Sequence, residues 1–385
     1  MKLAAVALVT LAAAQCPERK EFRDLSPEEK QIYFDAIKQL QQKPKPYRGG
    51  KTAFEYFTKI HMDYQNSVHG TPMFLPWHRQ FIHLYEEELR KINPRVVLPY
   101  WDWSLDSNAP HQSPVLQMVG GNGNSSQGYC VTQGPFEKWQ VNHPQQHCLR
   151  REYDMGGSIS PFASTESLSF DCNEPSFSDF SLRLEIKHGN PHVGIGGNSG
   201  DLTRMHSPND PIFYLHHTFV DMIWEEWKQR NPDSPFEGSR FDQQVNENSV
   251  LPFFNITVRD TLDISRYCYS YSRFPRTSEI PEPVSADQPA SDTVNRRQAF
   301  LARWGKRRLG FLLKNRQRFN FIREKLGSGL LRPIFQSINA TIAFKLKKRK
   351  PLPDSFLRMN NLNPAVVRQY ESEDAELVDL INSIF

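Results

Sequence analysis

The chain has 385 residues, of which 38% are hydrophobic and 23% are charged, and its formal net charge is +4 at pH 7. This length allows one to three domains and a substantial buried core. Beyond the first fourteen residues, no apolar run reaches the ~20 residues that a transmembrane helix requires. We therefore expect a soluble globular protein once the N-terminal run has been removed.

The N-terminal run predicts secretion. Residues 1–14 begin with Met-Lys and continue as an apolar run that ends in three alanines, which is typical of a signal peptide with a small-residue cleavage site. Asn124, Asn255 and Asn339 each open a glycosylation sequon, which matters only in the secretory route. The five cysteines fit two disulfides and one remaining thiol, with the connectivity left open.

Two helices are predicted near the start of the mature chain. The first covers residues 26–42 and opens with the capping sequence Ser-Pro-Glu-Glu, but it carries no candidate for chemistry. The second covers residues 52–66 and places His61 on its apolar face, so we expect His61 to point inward. Because Gly70 breaks this pattern, His69 is expected at the helix end or in the loop beyond it.

A third helix is predicted over residues 76–92. His78 lies on its apolar face, whereas His83 lies about 140° farther round the helix and is interpreted as structural. Residues 98–180 are rich in Gly, Ser, Asn and Pro, which indicates long irregular loops, and Trp103 within them is expected to pack in the core. Four histidines in or beside these loops are expected at the surface: His111, His143, His147 and His206.

Residues 177–193 contain a second histidine group. His188 and His192 are spaced i and i+4, which places two imidazoles on one helix face and is a common way to hold one metal ion. Since Pro191 is tolerated only in a first helical turn, the helix is expected to begin near His188 or to be locally distorted. A Gly-Gly pair then ends it.

The central helix of the chain is predicted over residues 210–227, with Asp210 as its N-cap and Pro211 as its first residue. Its apolar residues recur at helical spacing, so the His216-His217 pair is buried and needs a carboxylate, carbonyl or metal partner. One of this pair and the five histidines of the two upstream groups would form two sets of three imidazoles, which suits copper. Spacing alone leaves open which residue of the pair takes part.

Two stretches carry a family resemblance. They are His69-Gly-Thr-Pro-Met-Phe-Leu-Pro-Trp-His78-Arg and Ser207-Pro-Asn-Asp-Pro-Ile-Phe-Tyr-Leu-His216-His217. Both closely resemble the copper signatures of the type 3 copper family, which comprises tyrosinases, catechol oxidases and molluscan hemocyanins. The resemblance covers roughly residues 16–275 and implies a mainly α fold, with a four-helix bundle enclosing two copper ions and long irregular loops around it.

The resemblance also implies the ligands and the reaction. One copper ion would be held by His61, His69 and His78, and the other by His188, His192 and His217, because the family uses the second histidine of the pair. The implied function is that of a secreted oxidase that uses dioxygen to convert o-diphenols to o-quinones. The alternative is a hemocyanin-like oxygen carrier, but carriers are very large multi-unit chains and this chain has one copper unit.

Four further positions bear on the chemistry. Relatives that hydroxylate monophenols often have a Glu three residues before the first histidine of the second group and an Asn directly after that histidine. Glu185 matches the first position as a candidate catalytic residue, whereas Gly189 departs from the second, which favours o-diphenol oxidation over a slower hydroxylation. Ser67 stands where some relatives have a thioether-forming Cys. Asp221 is expected to accept the free ring N–H of a copper ligand.

The charge distribution divides the chain. Residues 294–350 contain 17 Lys and Arg against one acidic residue, so the remainder is net negative. The Pro- and Ser-rich residues 273–292 predict a linker between a di-copper domain over residues 15–272 and a basic C-terminal extension over residues 293–385.

By resemblance to latent fungal and plant relatives, we interpret this extension as an autoinhibitory segment removed by proteolysis, with membrane binding as the alternative. Residues 364–385 predict an acidic amphipathic helix, and no nucleic-acid partner is expected.

Overall fold

The computed structural model describes residues 16–47, 50–240, 243–271 and 345–384. The predicted signal peptide, the predicted linker and most of the basic stretch lie outside these residues. The domain boundaries derived from the sequence therefore stay predictions.

The described residues form nine α-helices, which are joined by short 3-10 turns and irregular loops. In chain order they are α1 (Pro27–Gln42), α2 (Ala53–Val68), α3 (Phe74–Arg90), α4 (Pro114–Met118), α5 (Thr165–Asp171), α6 (Phe177–Gly196), α7 (Ile212–Arg230), α8 (Asp354–Met359) and α9 (Pro364–Ile384). The mainly α fold is confirmed. The long region between α3 and α6 is irregular as predicted, apart from the short α4 and α5 and a few short strands.

The helix starts follow from capping residues in the sequence. At α1, the Ser26 side chain accepts a hydrogen bond from the Glu29 backbone N–H while the Glu29 side chain accepts one from the Ser26 N–H, a complete capping box. At α2, Thr52 Oγ1 accepts from the Glu55 N–H at 3.2 Å. Asp210 accepts from the Ile212 N–H at 3.0 Å, so it acts as the predicted cap although α7 begins two residues later.

Four helices position the histidines of the two upstream groups and the central pair. Helix α3 packs against α2, α6 and α7, and α6 packs against α7. Aromatic side chains fill the space between these helices. Trp77 stacks on Phe81 with ring centroids 5.0 Å apart, and Tyr85 stacks on Tyr214. This buried aromatic packing fixes the helices that carry the histidines.

Helix α6 differs from the expectation. It begins at Phe177 and continues through Pro191 to Gly196, so the expected start near His188 is wrong. Sixteen of its 20 residues are buried. Packing on all sides stabilises the helix despite the hydrogen bond that proline cannot make, because tertiary burial outweighs local propensity. The predicted end at Gly196 and Gly197 is confirmed.

The strands are short and lie at the periphery. Within the described residues they form four two-stranded sheets: β1 (Glu18–Arg19) with β8 (Ser270–Tyr271), β2 (Pro44–Tyr47) with β3 (Gly50–Thr52), β4 (Gln140–Val141) with β5 (His147–Cys148), and β6 (Glu237–Arg240) with β7 (Gln243–Asn246). The β1–β8 pair is parallel. It lies beside a disulfide between Cys16 and Cys268, and a second disulfide joins Cys130 to Cys148. Cys172 is a buried free thiol, which confirms two disulfides and one remaining cysteine.

Residues 345–384, named here the covering segment, pack on α6. This segment contains α8 and α9, and α9 confirms the predicted acidic helix. Its apolar side chains form a buried cluster with Ile186 of α6: Leu352, Phe356, Leu357, Leu362 and Val367. None of the helices in the described residues is both long and apolar enough to cross a bilayer.

Candidate metal centre

The structure brings the first histidine group together. His61 of α2, His69 just after α2 and His78 of α3 are all buried, and their ligand atoms lie within 4.8 Å of one another. Their ring centroids are separated by 5.0 to 5.6 Å. The loop at Gly70 makes this possible, because its left-handed backbone, with φ of +65°, turns the chain from α2 into α3.

A backbone carbonyl orients each of these three rings. Nδ1 lies 2.7 Å from the Met205 carbonyl oxygen in His61 and 2.8 Å from the Phe74 carbonyl oxygen in His78. In His69 the partner is the Gln65 carbonyl oxygen at 3.2 Å. A carbonyl oxygen can only accept, so Nδ1 carries the proton and Nε2 keeps its lone pair, as in an imidazole prepared to bind a metal ion.

The second group contains four buried histidines rather than three. The ligand atoms of His188, His192, His216 and His217 lie within 4.8 Å of one another. His188 Nδ1 donates to the Glu185 carbonyl at 2.9 Å, and His192 Nδ1 donates to the Leu202 carbonyl at 2.6 Å. These two rings therefore also keep a lone pair on Nε2.

A hydrogen bond from Trp103 distinguishes His216 from His217. The indole N–H of Trp103, which can only donate, lies 3.1 Å from His216 Nδ1. His216 Nδ1 must then hold a lone pair, so in the neutral ring the proton is on Nε2, which cannot bind a metal ion. Among the described residues, neither ring nitrogen of His217 has a hydrogen-bond partner. The tautomers thus favour His217, although its role as a ligand stays a prediction.

The two groups are adjacent. The ring of His78 stacks on that of His217 with centroids 4.5 Å apart, and the Phe74 ring contacts His78 at 4.8 Å and His188 at 4.9 Å. Burial lowers the pKa of His61 to about 3 and that of His192 to about 4, so these imidazoles are neutral. Neutral imidazole is the form that coordinates metals.

The donor set fits a pair of copper ions. Within the described part of the chain, the ring Nε2 atoms of His61, His78, His188, His192 and His217 are buried and lack a hydrogen-bond partner. The Nε2 of His216 is also unpartnered, but it carries that ring's proton and is not a donor to a metal ion. Leaving buried polar atoms unpaired costs roughly 1–3 kcal/mol each, so such a concentration is expected where a ligand completes the site. Two sets of imidazoles with no thiolate or carboxylate suit copper.

Glu185 lies between the two groups. Its side chain is buried, and Oε1 accepts a hydrogen bond from the Gly70 N–H at 2.8 Å, next to His69. Burial raises the pKa of this carboxyl well above its usual range, and the Gly70 N–H opposes the shift. The structure therefore places this carboxyl next to the first histidine group, and its catalytic role stays a prediction.

The expected contact between Asp221 and a copper ligand is wrong. Asp221 Oδ1 accepts from Arg79 Nε at 2.6 Å, and Oδ2 accepts from the hydroxyls of Tyr269 at 2.7 Å and Tyr271 at 2.5 Å. The carboxylate is used by a buried structural network instead. The ring-orienting role belongs to backbone carbonyls, including those of Leu202 and Met205, which no side-chain pattern reveals.

The covering segment lies directly over the second group. A Cβ on Gly189 would approach Phe356 Cε1 to 2.8 Å and Leu352 Cδ1 to 2.9 Å. The Phe356 ring lies 6.3 Å from that of His192. A Cβ on Gly70 would meet the Asn361 backbone oxygen at 2.5 Å. The chain thus covers both the Gly189 and the Gly70 side of the centre with its own C-terminal residues.

The remaining histidines of the sequence analysis lie apart from the centre. His83 is on α3 and faces Glu87, with its Nε2 3.5 Å from the carboxylate, consistent with a structural role. His111, His143, His147 and His206 are partly exposed. His147 and His206 are not simple surface residues, because both face the buried Asp201.

Comparisons with known proteins agree with this geometry. A family model described as the common central domain of tyrosinase matches residues 51–230. The tyrosinase of Streptomyces antibioticus is 31% identical over 270 residues, which cover 65% of this chain and 97% of the relative. The tyrosinase-like protein phomQ1' of Diaporthe leptostromiformis is 34% identical over 248 residues, and the match covers 56% of this chain and 64% of the relative, just under two thirds of that protein's length.

Solved structures show the same fold. A polyphenol oxidase variant from Thermothelomyces thermophila aligns with a TM-score of 0.56 at 22% identity, covering 67% of this chain and 89% of that one. The tyrosinase of Burkholderia thailandensis aligns with a TM-score of 0.50 at 16% identity, covering 72% and 76% of the two chains. Together with the sequence matches and the two histidine groups, these findings establish that the chain belongs to the tyrosinase family of type 3 copper oxidoreductases.

Proposed function

We propose that this protein uses dioxygen to oxidise o-diphenols to o-quinones at a pair of copper ions. His61, His69 and His78 would hold one ion, and His188, His192 and His217 the other. When bound, the copper pair supplies the binding and reduction of dioxygen. The observation that carries the proposal is the set of five rings whose Nδ1 donates to a backbone carbonyl.

The protein's own residues contribute orientation, exclusion of water and proton exchange. The carbonyl contacts hold the rings in one tautomer, so no reorientation is needed when metal binds. Phe74 and Phe213 pack against the rings and keep water away from them. Glu185 would take a proton from a phenol hydroxyl, since its carboxyl is held at Gly70, next to His69.

Monophenol hydroxylation is proposed as the slower activity. Glu185 is present, but Gly189 offers no side-chain amide to orient a water molecule beside it. The next residue does not replace that amide, because the Asn190 side chain accepts a hydrogen bond from Arg349 of the covering segment.

Secretion of the protein is proposed because of the N-terminal apolar run, and two disulfides suit an oxidising compartment.

The test is oxygen uptake by copper-loaded protein supplied first with a catechol and then with a tyrosine-like monophenol. We expect rapid uptake with catechol and slow uptake with monophenol. Glu185→Gln should lower the monophenol rate by about 10²-fold or more, as expected for a general base, and change the catechol rate less. A copper-loaded protein that binds oxygen reversibly without oxidising catechol would instead favour the carrier.

We also propose that the covering segment keeps the enzyme latent. Phe356 and Leu352 fill the space above Gly189, where a substrate ring would approach the second copper ion. Besides its apolar cluster, the segment is held by ion pairs. Arg183 pairs with Glu373 at 2.6 Å, and Lys187 with Asp374 at 3.1 Å.

These contacts are independent of the residues between 271 and 345. Cutting the chain there would leave the covering segment bound, so activation requires its dissociation as well as proteolysis. The test compares the full chain with a chain ending at residue 272. We expect the shorter chain to oxidise catechol at least tenfold faster, and adding residues 345–385 as a separate peptide should reverse the gain. Equal rates for the two chains would refute latency.

A further inference from the structure

A third group of metal-ligating side chains lies outside the copper centre. It consists of His147 on β5, Asp201 and His206, whose ligand atoms all lie within 4.8 Å of one another. The Asp201 side chain is fully buried, whereas the side chains of His147 and His206 are 12% and 23% exposed. An ion in solvent can therefore reach the group from the imidazole side.

The separations suit a small cation. Asp201 Oδ1 lies 2.8 Å from His147 Nε2 and 3.4 Å from His206 Nε2. Ligands bound tetrahedrally at about 2.0–2.2 Å from a zinc ion lie roughly 3.3–3.5 Å from each other. The His206–Asp201 separation of 3.4 Å matches that value. The His147–Asp201 pair at 2.8 Å is a direct hydrogen bond and would have to open by about 0.5 Å to admit an ion. Both imidazoles are at the partly exposed edge, where they have room to adjust. Two imidazoles and one carboxylate form a donor set that zinc and copper accept.

Hydrogen bonding around His147 shows that the group is built for positive charge. Its Nδ1 lies 2.7 Å from the Gln145 carbonyl oxygen and its Nε2 lies 2.8 Å from Asp201 Oδ1. Both oxygens can only accept, so without a cation both ring nitrogens need a proton. The hydrogen bond to Asp201 raises the pKa of His147 accordingly. A metal ion would take the place of the Nε2 proton.

The group is connected to the copper centre through one short segment. Asp201 and His206 bound residues 201–206, and two carbonyls within this segment orient predicted copper ligands. The Leu202 carbonyl accepts from His192 at 2.6 Å, and the Met205 carbonyl accepts from His61 at 2.7 Å. An ion that fixes both ends of the segment would therefore fix one ring in each histidine group.

We propose that His147, Asp201 and His206 form a third metal site for a divalent transition-metal ion such as Zn²⁺, which braces the segment that orients the copper ligands. The fourth position would be taken by water, since three protein ligands leave one open. The site does not depend on which phenol the enzyme oxidises.

The test counts metal ions in copper-loaded full-length protein after equilibrium dialysis against Zn²⁺. We expect two copper ions and one zinc ion per chain. His206→Gln and His147→Gln should each weaken zinc binding at least tenfold while both copper ions are retained. The matched control is His111→Gln, which changes another partly exposed loop histidine outside the group and should bind zinc like the parent. A third copper ion that is lost in the same two variants would support the site and identify copper as its occupant.

Two results would overturn the proposal. The third metal site is refuted if the dialysed protein holds two metal ions in total, or if His206→Gln binds zinc as tightly as the parent. The bracing role has its own readout, the rate at which a chelator removes copper. We expect bound zinc to slow copper loss by about tenfold, the lower end of the range for changes around metal ligands. Equal rates with and without zinc would overturn the bracing role.

Discussion

Asp374 offers the sharpest test of how the covering segment is held. Its carboxylate lies on α9, is buried, and pairs with Lys187 at 3.1 Å and with Arg349 at 2.9 Å. Ser167 donates a further hydrogen bond to it. Asp374→Asn would keep the shape of the side chain and remove the charge that joins α6 to the segment.

The expected magnitude follows from what each cation retains. Lys187 stays paired with Asp171 at 2.5 Å, so its charge on α6 keeps a partner. In Asp374→Asn, Arg349 loses its carboxylate partner although its side chain is only 6% exposed in the bound segment. Dissociation of the segment would expose this guanidinium to water. Breaking a buried ion pair costs about 3–5 kcal/mol. Since about 1.4 kcal/mol is a factor of ten, the ratio of bound to dissociated segment should fall by a factor of roughly 10² to several thousand.

The assay is chymotryptic cleavage at Phe356, which is buried while the segment is bound. When opening is fast, the cleavage rate follows the dissociated fraction. The matched control is Asp379→Asn on the same helix, because Asp379 pairs with Lys348 at the surface, with side chains 61% and 51% exposed. Such a pair contributes about 0–1 kcal/mol. The role of the buried ion pair is refuted if Asp374→Asn is cleaved no faster than this control, or if its catechol oxidation stays at the parent rate.

Three further outcomes are expected. Burial raises the pKa of the Asp374 carboxyl, yet Arg349 and Lys187 hold that pKa well below its usual range. The carboxylate therefore contributes fully to segment binding above about pH 4, and this contribution is lost only in stronger acid. A loss of protection from cleavage between pH 7 and pH 5 would contradict the role of this carboxylate. Gly189→Ala should displace the covering segment and speed chymotryptic cleavage at Phe356 at least tenfold in the full chain. The same substitution in a chain ending at residue 272 should leave the rate of catechol oxidation unchanged. His217→Gln should reduce bound copper from two ions to one by metal analysis, whereas His216→Gln should keep both; the opposite pattern would contradict the tautomers assigned to the pair.

The local sequence was enough for most of the helices. The capping box at Ser26 and the Thr52 cap specify helix starts through contacts within four residues, and the structure has both. The histidine groups could be recognised because a buried imidazole needs a partner, and several imidazoles on apolar helix faces together indicate a metal ion. Both features leave a record in short stretches of sequence, as a capping residue or as the position of a histidine on an apolar helix face.

Other features depend on residues far apart in sequence. Asp221 stands four residues after His217, which suggested a contact along α7, but Arg79 of α3 and two tyrosines after α7 take its oxygens. A helical spacing shows which partners are possible and not which one packs closest. The pairing of Cys16 with Cys268, 252 residues away, was open for the same reason.

The sequence by itself determined the helical fold, the two histidine groups and the copper chemistry that the resemblance implies, because these follow from short motifs. Only the tertiary structure decided the roles of the adjacent His216 and His217, since the deciding hydrogen bond comes from Trp103, 113 residues earlier. It also decided that Phe356 covers Gly189 and that His147 and His206 share Asp201. Those contacts depend on how the loops and the C-terminal segment fold back over the helices, and no local pattern records that path.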